Sequence, residues 1–457
     1  MFAATQRIHF VGIGGIGMSG IAEILLSLGY PVSGSDLRTS PVTERLALLG
    51  ATIFEGHNAE HARPADVVVI SSAVRADNPE VAEARLRKIP VVARAEMLAE
   101  LMRLKYGIAV AGMHGKTTTT SIIAAVMHAA RLDPTVVVGG RVDLFGSNAR
   151  AGNSHFLVAE ADESDRSFLK LSPILTVVTN LDREHMENYS GMDDVENCFV
   201  EFMNKVPFYG ASTACLDDPM LRAILPRVKR RLITYGLSDD ADFQAITLPR
   251  TPDCYTNFEV SARGIVIGPF QLFVPGVHNL RNATAAVAIA VELGVAPDAI
   301  AAGLASFRGV DRRFQHKGSV RDIAVVDDYG HHPTEIRATL AAARDCGYRH
   351  VHVLFQPHRY SRTHDLFHEF SSAFRDADSV ELVPIYAASE QPIEGVNSES
   401  LAEAIYAEGT YTGTSPNLQA AALAVAQRAE PGDLLLTLGA GSVSQAGPML
   451  LEALRGA

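Results

Sequence analysis

Short apolar runs rich in Val, Ile and Leu alternate with stretches of helical period along the whole chain. The runs RIHFVGI, DVVVIS, GIAVAG, HFLVAE, ILTVVTN, VHVLF and DLLLTL predict strands. Most are apolar at successive positions, so both faces of each strand should be covered, as in parallel sheets. Between them, SGIAEILLSLG and TTSIIAAVMHAARL place apolar residues at helical spacing. Such alternation predicts α/β domains with mainly parallel sheets. Ala241–Val274 differs, because YTNFEVSA and GIVIGPFQLFV are short runs separated by turn residues. They predict antiparallel strands inserted in, or attached to, the middle domain. The longest apolar stretch, Ala283–Ala305, contains Glu292, Pro297 and Asp298, and so predicts a buried helix pair, not a membrane span.

The chain has 457 residues, which at ~150 residues per domain predicts about three domains. Boundaries near Ala95 and Arg312 divide it into residues 1–95, 96–312 and 313–457. Its formal net charge of −12 argues against a non-specific nucleic-acid binder or an anionic-membrane binder, which needs excess cations. A local glycine-rich loop can still bind phosphate against that field. Cys198, Cys215, Cys254 and Cys346 lie far apart with no C-x-x-C pair, which argues against a disulfide scaffold or zinc knuckle. The N-terminus lacks a cationic region ahead of its apolar residues. Together these features predict a soluble, cytoplasmic protein.

Two loops carry candidate chemistry. Gly12-x-Gly14-Gly15-x-Gly17 follows the first strand and opens a helix, and Asp36 ends the next strand-like run. Glycines permit a tight turn, the helix start presents N–H groups to phosphate, and the acid can meet a ribose hydroxyl. A dinucleotide fold needs two βαβαβ halves, yet a second phosphate loop arrives by Gly112. A half-sized domain suits a shorter ligand, such as a nucleoside diphosphate carrying another group.

The second loop, Gly112-Met113-His114-Gly115-Lys116-Thr117-Thr118, resembles a P-loop, although the strict pattern would put its first glycine at Val110. Backbone N–H groups would hold phosphates, Lys116 would neutralise charge, and the Thr117 hydroxyl would bind Mg²⁺. HFLVAE ends in Glu160-Ala-Asp162-Glu163-Ser-Asp165, and ILTVVTN ends in Asn180-Leu-Asp182-Arg-Glu184-His185. Ligands collect at the carboxyl ends of parallel strands, so Lys116, Thr117, Glu160 and His185 are expected at one site. His331-His332-Pro333 and His364-x-x-x-His368 lack the remaining ligands of a zinc site.

Taken with HFVGIGGIGMSGIAEIL, GMHGKTTTT, AEADESDRSFL, TNLDREHMENY, VPGVHNLRNATAA, RRF, DDYGHHPTE, FQPHRYSRTHDLF and GAGSVS, the chain resembles the Mur ligases of peptidoglycan synthesis, most closely the alanine-adding branch. The resemblance covers nearly the whole length. It implies a Rossmann-like N-terminal domain for a UDP-sugar, a P-loop-like central ATPase and a Rossmann-like C-terminal domain that closes over both. It further implies that Gly14, Gly15, Gly17 and Asp36 bind the UDP-sugar and that Gly112 to Thr118 cradle ATP. Thr117, Glu160 and His185 would handle magnesium, and His278, Asn279 and Asn282 would meet the adenine end. Arg313 and Asp328 match family positions at the domain junction, and His331, Arg359 and Arg362 match positions that meet substrate. Lys116, Glu160, His185, Arg313 and Asp328 would thus carry the reaction. The implied partners are UDP-N-acetylmuramate, ATP and L-alanine, with no nucleic acid or membrane, in a monomer or homodimer.

The family usually has Thr where this chain has Met113. Some sister enzymes use a carbamoylated lysine after the His185-type segment, but Met186–Asn204 contains no lysine, as in the alanine-adding branch. Two alternatives remain: a sister ligase that attaches a recycled peptide to the same sugar, and a nicotinamide-dependent oxidoreductase with an added nucleotide domain. DDYGHHPTE and FQPHRYSRT favour the alanine enzyme over the first, and the loop at Lys116 disfavours the second.

Overall fold

All seven apolar runs form strands. The computed structural model describes residues 6–71, 73–142, 147–249 and 255–456. The first sheet comprises β1 (Ile8–Val11), β2 (Val32–Asp36), β3 (Thr52–Glu55), β4 (Val67–Ile70) and β5 (Val91–Ala93), ordered β3-β2-β1-β4-β5 and parallel throughout.

The second sheet takes β6 (Tyr106–Ala111), β7 (Thr135–Val142), β8 (Ser147–Arg150), β9 (Phe156–Glu160), β10 (Leu175–Val178), β11 (Ala211–Cys215), β12 (Leu232–Gly236), β13 (Phe243–Leu248), β14 (Thr256–Ala262) and β15 (Ile265–Leu272). Its order is β15-β14-β13-β12-β11-β10-β6-β9-β7-β8. The strands predicted within Ala241–Val274 are therefore not a separate layer. They extend the middle sheet through a parallel β12–β13 pairing, after which β13 and β14 run antiparallel.

The third sheet holds β16 (Gln315–Val320), β17 (Ile323–Asp328), β18 (Val351–Phe355), β19 (Ser379–Leu382), β20 (Tyr411–Thr414) and β21 (Leu434–Leu438). Its order is β16-β17-β21-β18-β19-β20, antiparallel only between β16 and β17. The chain forms two compact units, one carrying the first two sheets and one the third. The helix Val277–Glu292 contributes residues 277–280 to the second unit and the remainder to the first.

Burial explains why these strands read as unbroken apolar runs. In β21, Leu434, Leu436 and Leu438 pack with Ile336, Leu340, Phe370 and Phe374 on one face, while Leu435 packs with Val425, Leu450 and Leu454 on the other. Both faces of the sheet are thus covered by helices, and each fully buried Leu contributes about 1.5–3 kcal/mol. The apolar stretch Ala283–Ala305 falls in a helix pair, Val277–Glu292 and Pro297–Ser306. The second of these crosses the helix Lys116–Ala129 so closely that a Cβ on Gly303 would lie 2.4 Å from Val126 Cα. Among the described residues, no helix is long and apolar enough to cross a membrane.

Candidate active site

The first glycine loop joins β1 to the helix Ile16–Ser27. Gly12 and Ile13 donate their N–H groups to the Ser35 carbonyl, and Gly14 donates to Asp36 Oδ2 at 2.8 Å. A Cβ on Gly14 would sit 2.9 Å from that same oxygen, so glycine is required for the approach. Asp36 therefore shapes the loop as well as ending β2. Gly15 caps the helix, and Gly17 lies against Arg94, whose guanidinium reaches Asp162 at 3.3 Å beyond the end of β9. Sequence reasoning missed Arg94, which carries no motif.

The second loop connects β6 to the helix Lys116–Ala129. Gly112 (φ +126°) and Gly115 (φ +84°) occupy left-handed backbone that favours glycine. A Cβ on Gly112 would also fall 2.0 Å from Thr179 Oγ1. The end of β10 braces this loop. Asn180 Oδ1 accepts the His114 N–H at 2.8 Å, Asn180 Nδ2 and Thr179 Oγ1 donate to the His114 carbonyl, and His114 Nε2 lies 2.8 Å from Asp182 Oδ2. Met113 is buried.

Lys116 Nζ donates to the carbonyls of Gly112 (2.7 Å) and Met113 (3.2 Å) and to Glu163 Oε1 (2.7 Å). Burial works against the ammonium, but Glu163, Glu184 and Glu160 more than offset it and hold its pKa above the usual lysine range. Burial also pushes the Glu163 carboxyl up to about 7, against the pull of Lys116. The ammonium stays protonated, held by its hydrogen bond to Glu163. Glu163 was visible in the acidic run but was not distinguished there from its neighbours.

Glu160 ends β9, which pairs with β6 at Val110. It lies against Gly139, where a Cβ would come within 2.6 Å of Glu160 Oε2. Thr117 and Thr118 follow Lys116 in the first turn of the helix, with Thr118 buried. His185 has left-handed backbone (φ 57°), and its ring stands 3.8 Å from Glu184 and 4.0 Å from Glu187. The hydroxyl of Thr117 and the carboxylate of Glu160 are the hard oxygen donors that magnesium takes, so these residues fit that ion.

Asn282 faces the second loop, with its Oδ1 2.9 Å from where a Gly115 Cβ would stand. His278 and Asn279 belong to the first turn of the same helix. His278 lies against Gly276, and Asn279 Nδ2 donates to the Pro275 carbonyl at 2.7 Å.

On the second unit, a cluster gathers where β17 and β18 end. Arg313 pairs with Glu335 at 3.1 Å and lies over the Tyr329 ring. Burial opposes the Arg313 charge, yet Glu335 and Asp328 hold its pKa up. Asp328 is raised by its own burial, and its oxygens accept from the N–H groups of Phe314 and Gly330 and from the Thr339 hydroxyl. It therefore fixes the local backbone. His331 Nδ1 stands 3.3 Å from Glu335, and its ring centroid is 5.8 Å from that of His358. Arg362, in the helix Tyr360–Asp365, donates to the His358 carbonyl at 3.3 Å, and Arg359 (φ 70°) is the N-cap of that helix. Burial, with His331, Arg362 and Arg359, lowers His358 to about 4. Glu335 and His358 were missed because neither stood out within its motif.

Three family models match in succession. They are the Mur ligase family catalytic domain over residues 7–106, the Mur ligase middle domain over residues 110–290 and the Mur ligase glutamate ligase domain over residues 312–441. The chain belongs to the Mur ligase family. It is 65% identical over 455 residues to the UDP-N-acetylmuramate–L-alanine ligase of Acidobacterium capsulatum, covering 100% of this chain and 99% of that protein. The enzyme of the same name from Koribacter versatilis is 64% identical, covering 99% and 98%. Among solved structures, the UDP-N-acetylmuramate–alanine ligase of Thermotoga maritima superposes with a TM-score of 0.79 at 29% identity, covering 99% of each chain. A murein peptide ligase from Psychrobacter arcticus gives 0.69 at 25% identity, covering 98% of each chain. Within this Mur ligase, the described geometry thus brings Lys116, Glu163 and the β10 brace together on one unit, and Arg313, Asp328, His331 and Arg362 together on the other.

Proposed function

We propose that this chain is an ATP-dependent ligase that joins L-alanine to the lactyl carboxylate of UDP-N-acetylmuramate in peptidoglycan synthesis. The observation that carries this reading is full-length identity of 65% and 64% to two ligases of that name. The phosphate loop, with Lys116 held against its own backbone and Glu163, supports the ATP half of the reaction.

A carboxylate is a poor electrophile, so the γ-phosphoryl group of ATP passes first to the lactyl carboxylate, giving an acyl phosphate and ADP. The neutral amine of L-alanine then attacks the acyl carbon, loses a proton, and inorganic phosphate leaves. Lys116 would leave the Gly112 carbonyl for the β- and γ-phosphates and neutralise charge in transfer, while N–H groups of the loop orient the chain of phosphates. Thr117 and Glu160, with His185, would hold magnesium, which when bound supplies charge neutralisation between those phosphates. Gly14, Gly15, Gly17 and Asp36 would seat the diphosphate and ribose of the sugar nucleotide. Asn282, with His278 and Asn279, would meet the adenine end. Arg313, His331, Arg359 and Arg362 offer cationic and imidazole groups to a substrate carboxylate. Asp328 would act on the reaction only by holding the Phe314 and Gly330 backbone. Residues 1–95, 96–312 and 313–457 would divide the three tasks, in a cytoplasmic enzyme working as a monomer or homodimer.

The test against the peptide-recycling reading is a ligation assay offering L-alanine and a free tripeptide, with its N-terminal amine unblocked, in competition. Alanine product should dominate by at least 100-fold in kcat/KM, and preference for the tripeptide would reverse the assignment.

A further inference from the structure

The amino-terminal edge of the third sheet carries a cluster for which the ligation chemistry has no use. His350 precedes β18 and His352 lies within it, so strand alternation puts both imidazoles on one face. Asp433 precedes β21, which pairs in parallel with β18 at Val351 opposite Leu434. These three residues sit where the strands begin. His358 lies beyond the end of β18, about 15–20 Å along the strand direction.

The geometry suits an ion. Asp433 Oδ1 lies 3.0 Å from His350 Nδ1, and Oδ2 lies 3.3 Å from His352 Nε2. One ligand atom from each residue falls within 4.8 Å of the others. A tetrahedral ion with bonds of about 2.0–2.1 Å keeps its ligand atoms about 3.4 Å apart, so the donors already approach that spacing. Asp433 is fully buried, and its Oδ2 also accepts the Glu430 N–H at 2.8 Å, leaving Oδ1 to turn to a metal. His352 Nδ1 is 2.8 Å from Ser379 Oγ. A proton on that nitrogen, held by the hydroxyl, leaves Nε2 as the ligand atom. His350, with 39% of its side chain exposed, opens a path to solvent. Nearby, Arg349 pairs with Glu430 and Arg344 with Asp378, so those two cations are already matched by carboxylates other than Asp433.

We propose that His350, His352 and Asp433 form a binding site for a divalent ion of the zinc class, separate from the magnesium of the nucleotide site. Two imidazoles and one carboxylate suit zinc or cobalt, whereas magnesium takes oxygen. The ion would tie the starts of β18 and β21 together.

Titration of the full chain, stripped with chelator, with cobalt(II) chloride tests this by visible absorption. Wild type should bind one equivalent with the intense bands of four-coordinate cobalt. His350→Gln should weaken that binding by ~100-fold and Ser379→Ala by ~10-fold. Ligation rates of both variants without added cobalt should match wild type. Absence of the four-coordinate spectrum in wild type, or wild-type affinity in both variants, would overturn the proposal and leave a hydrogen-bonded clamp. Should His350→Gln fail to give a native circular-dichroism spectrum, Ser379→Ala decides, and unchanged affinity there counts against the site.

Discussion

Lys116 illustrates what a single residue can and cannot disclose in sequence. Its position after Gly115 and before Thr117 marks a phosphate loop, because only that role calls for a cation at the start of a buried helix. Lys116→Ala should lower ATP-dependent ligation by at least ~1,000-fold. Its far-UV circular dichroism should stay unchanged, since the residue lies in a loop-to-helix turn and adds no apolar side chain to the core. Retention of wild-type turnover would remove Lys116 from the reaction. Its counter-ion was less legible. The run AEADESD contains several carboxylates within a few residues, and nothing in that spacing tells which one turns inward. Folding settles it: Glu163 is 1% exposed and bonds Lys116, whereas Asp162 meets Arg94 and the Ser164 hydroxyl. Asn180 and Thr179 were similarly hidden, because they grip the loop backbone and that need leaves no side-chain pattern.

At the scale of elements, strands buried on both faces were legible and strands at sheet edges were not. β18 and β21 are buried at every position and read as continuous apolar runs. β16 (QHKGSV) and β20 (YTGT) are partly exposed edge strands whose sequences carry little hydrophobic signal. The first sheet also hides a polar element beneath an apolar pattern. Glu80, in the first turn of the helix Pro79–Leu86, is fully buried and accepts from Ser35 at 2.6 Å, with His61 at 2.8 Å and His57 at 3.1 Å. Burial alone would raise its pKa, but the nearby His9 ring, 3.7 Å away, and hydrogen bonds with Ser35 and His61 hold it at about 2. A carboxyl depressed in the folded state stabilises fully above its ordinary value near 4.5, and that contribution fades as pH falls toward 2. Glu80→Gln should therefore cost about 2 kcal/mol at pH 7. The difference in thermal midpoint between variant and wild type should narrow steadily below pH 4.5. A gap independent of pH between 7 and 3 would show that the charge of Glu80 is not what holds this cluster.

For the whole molecule, a net charge of −12 excludes little about phosphate ligands. The first two sheets each send a glycine loop into a helix, so the fold offers two sets of backbone N–H groups to anions whatever the global charge. The alternation of apolar runs predicted mainly parallel sheets and the chain length about three domains, and three such sheets are present among the described residues. How the antiparallel strands join the middle sheet was not, because pairing partners are set by long-range packing. In the proposed reaction, ATP cleavage is coupled to alanine and the sugar nucleotide together. ADP release should be measured with ATP and magnesium in four mixtures: neither substrate, UDP-N-acetylmuramate alone, L-alanine alone, and both. Sustained ADP release is expected only with both, at one ADP per UDP-N-acetylmuramoyl-L-alanine formed. Steady ADP release that ignores either substrate, or alanine product without ADP, would contradict it.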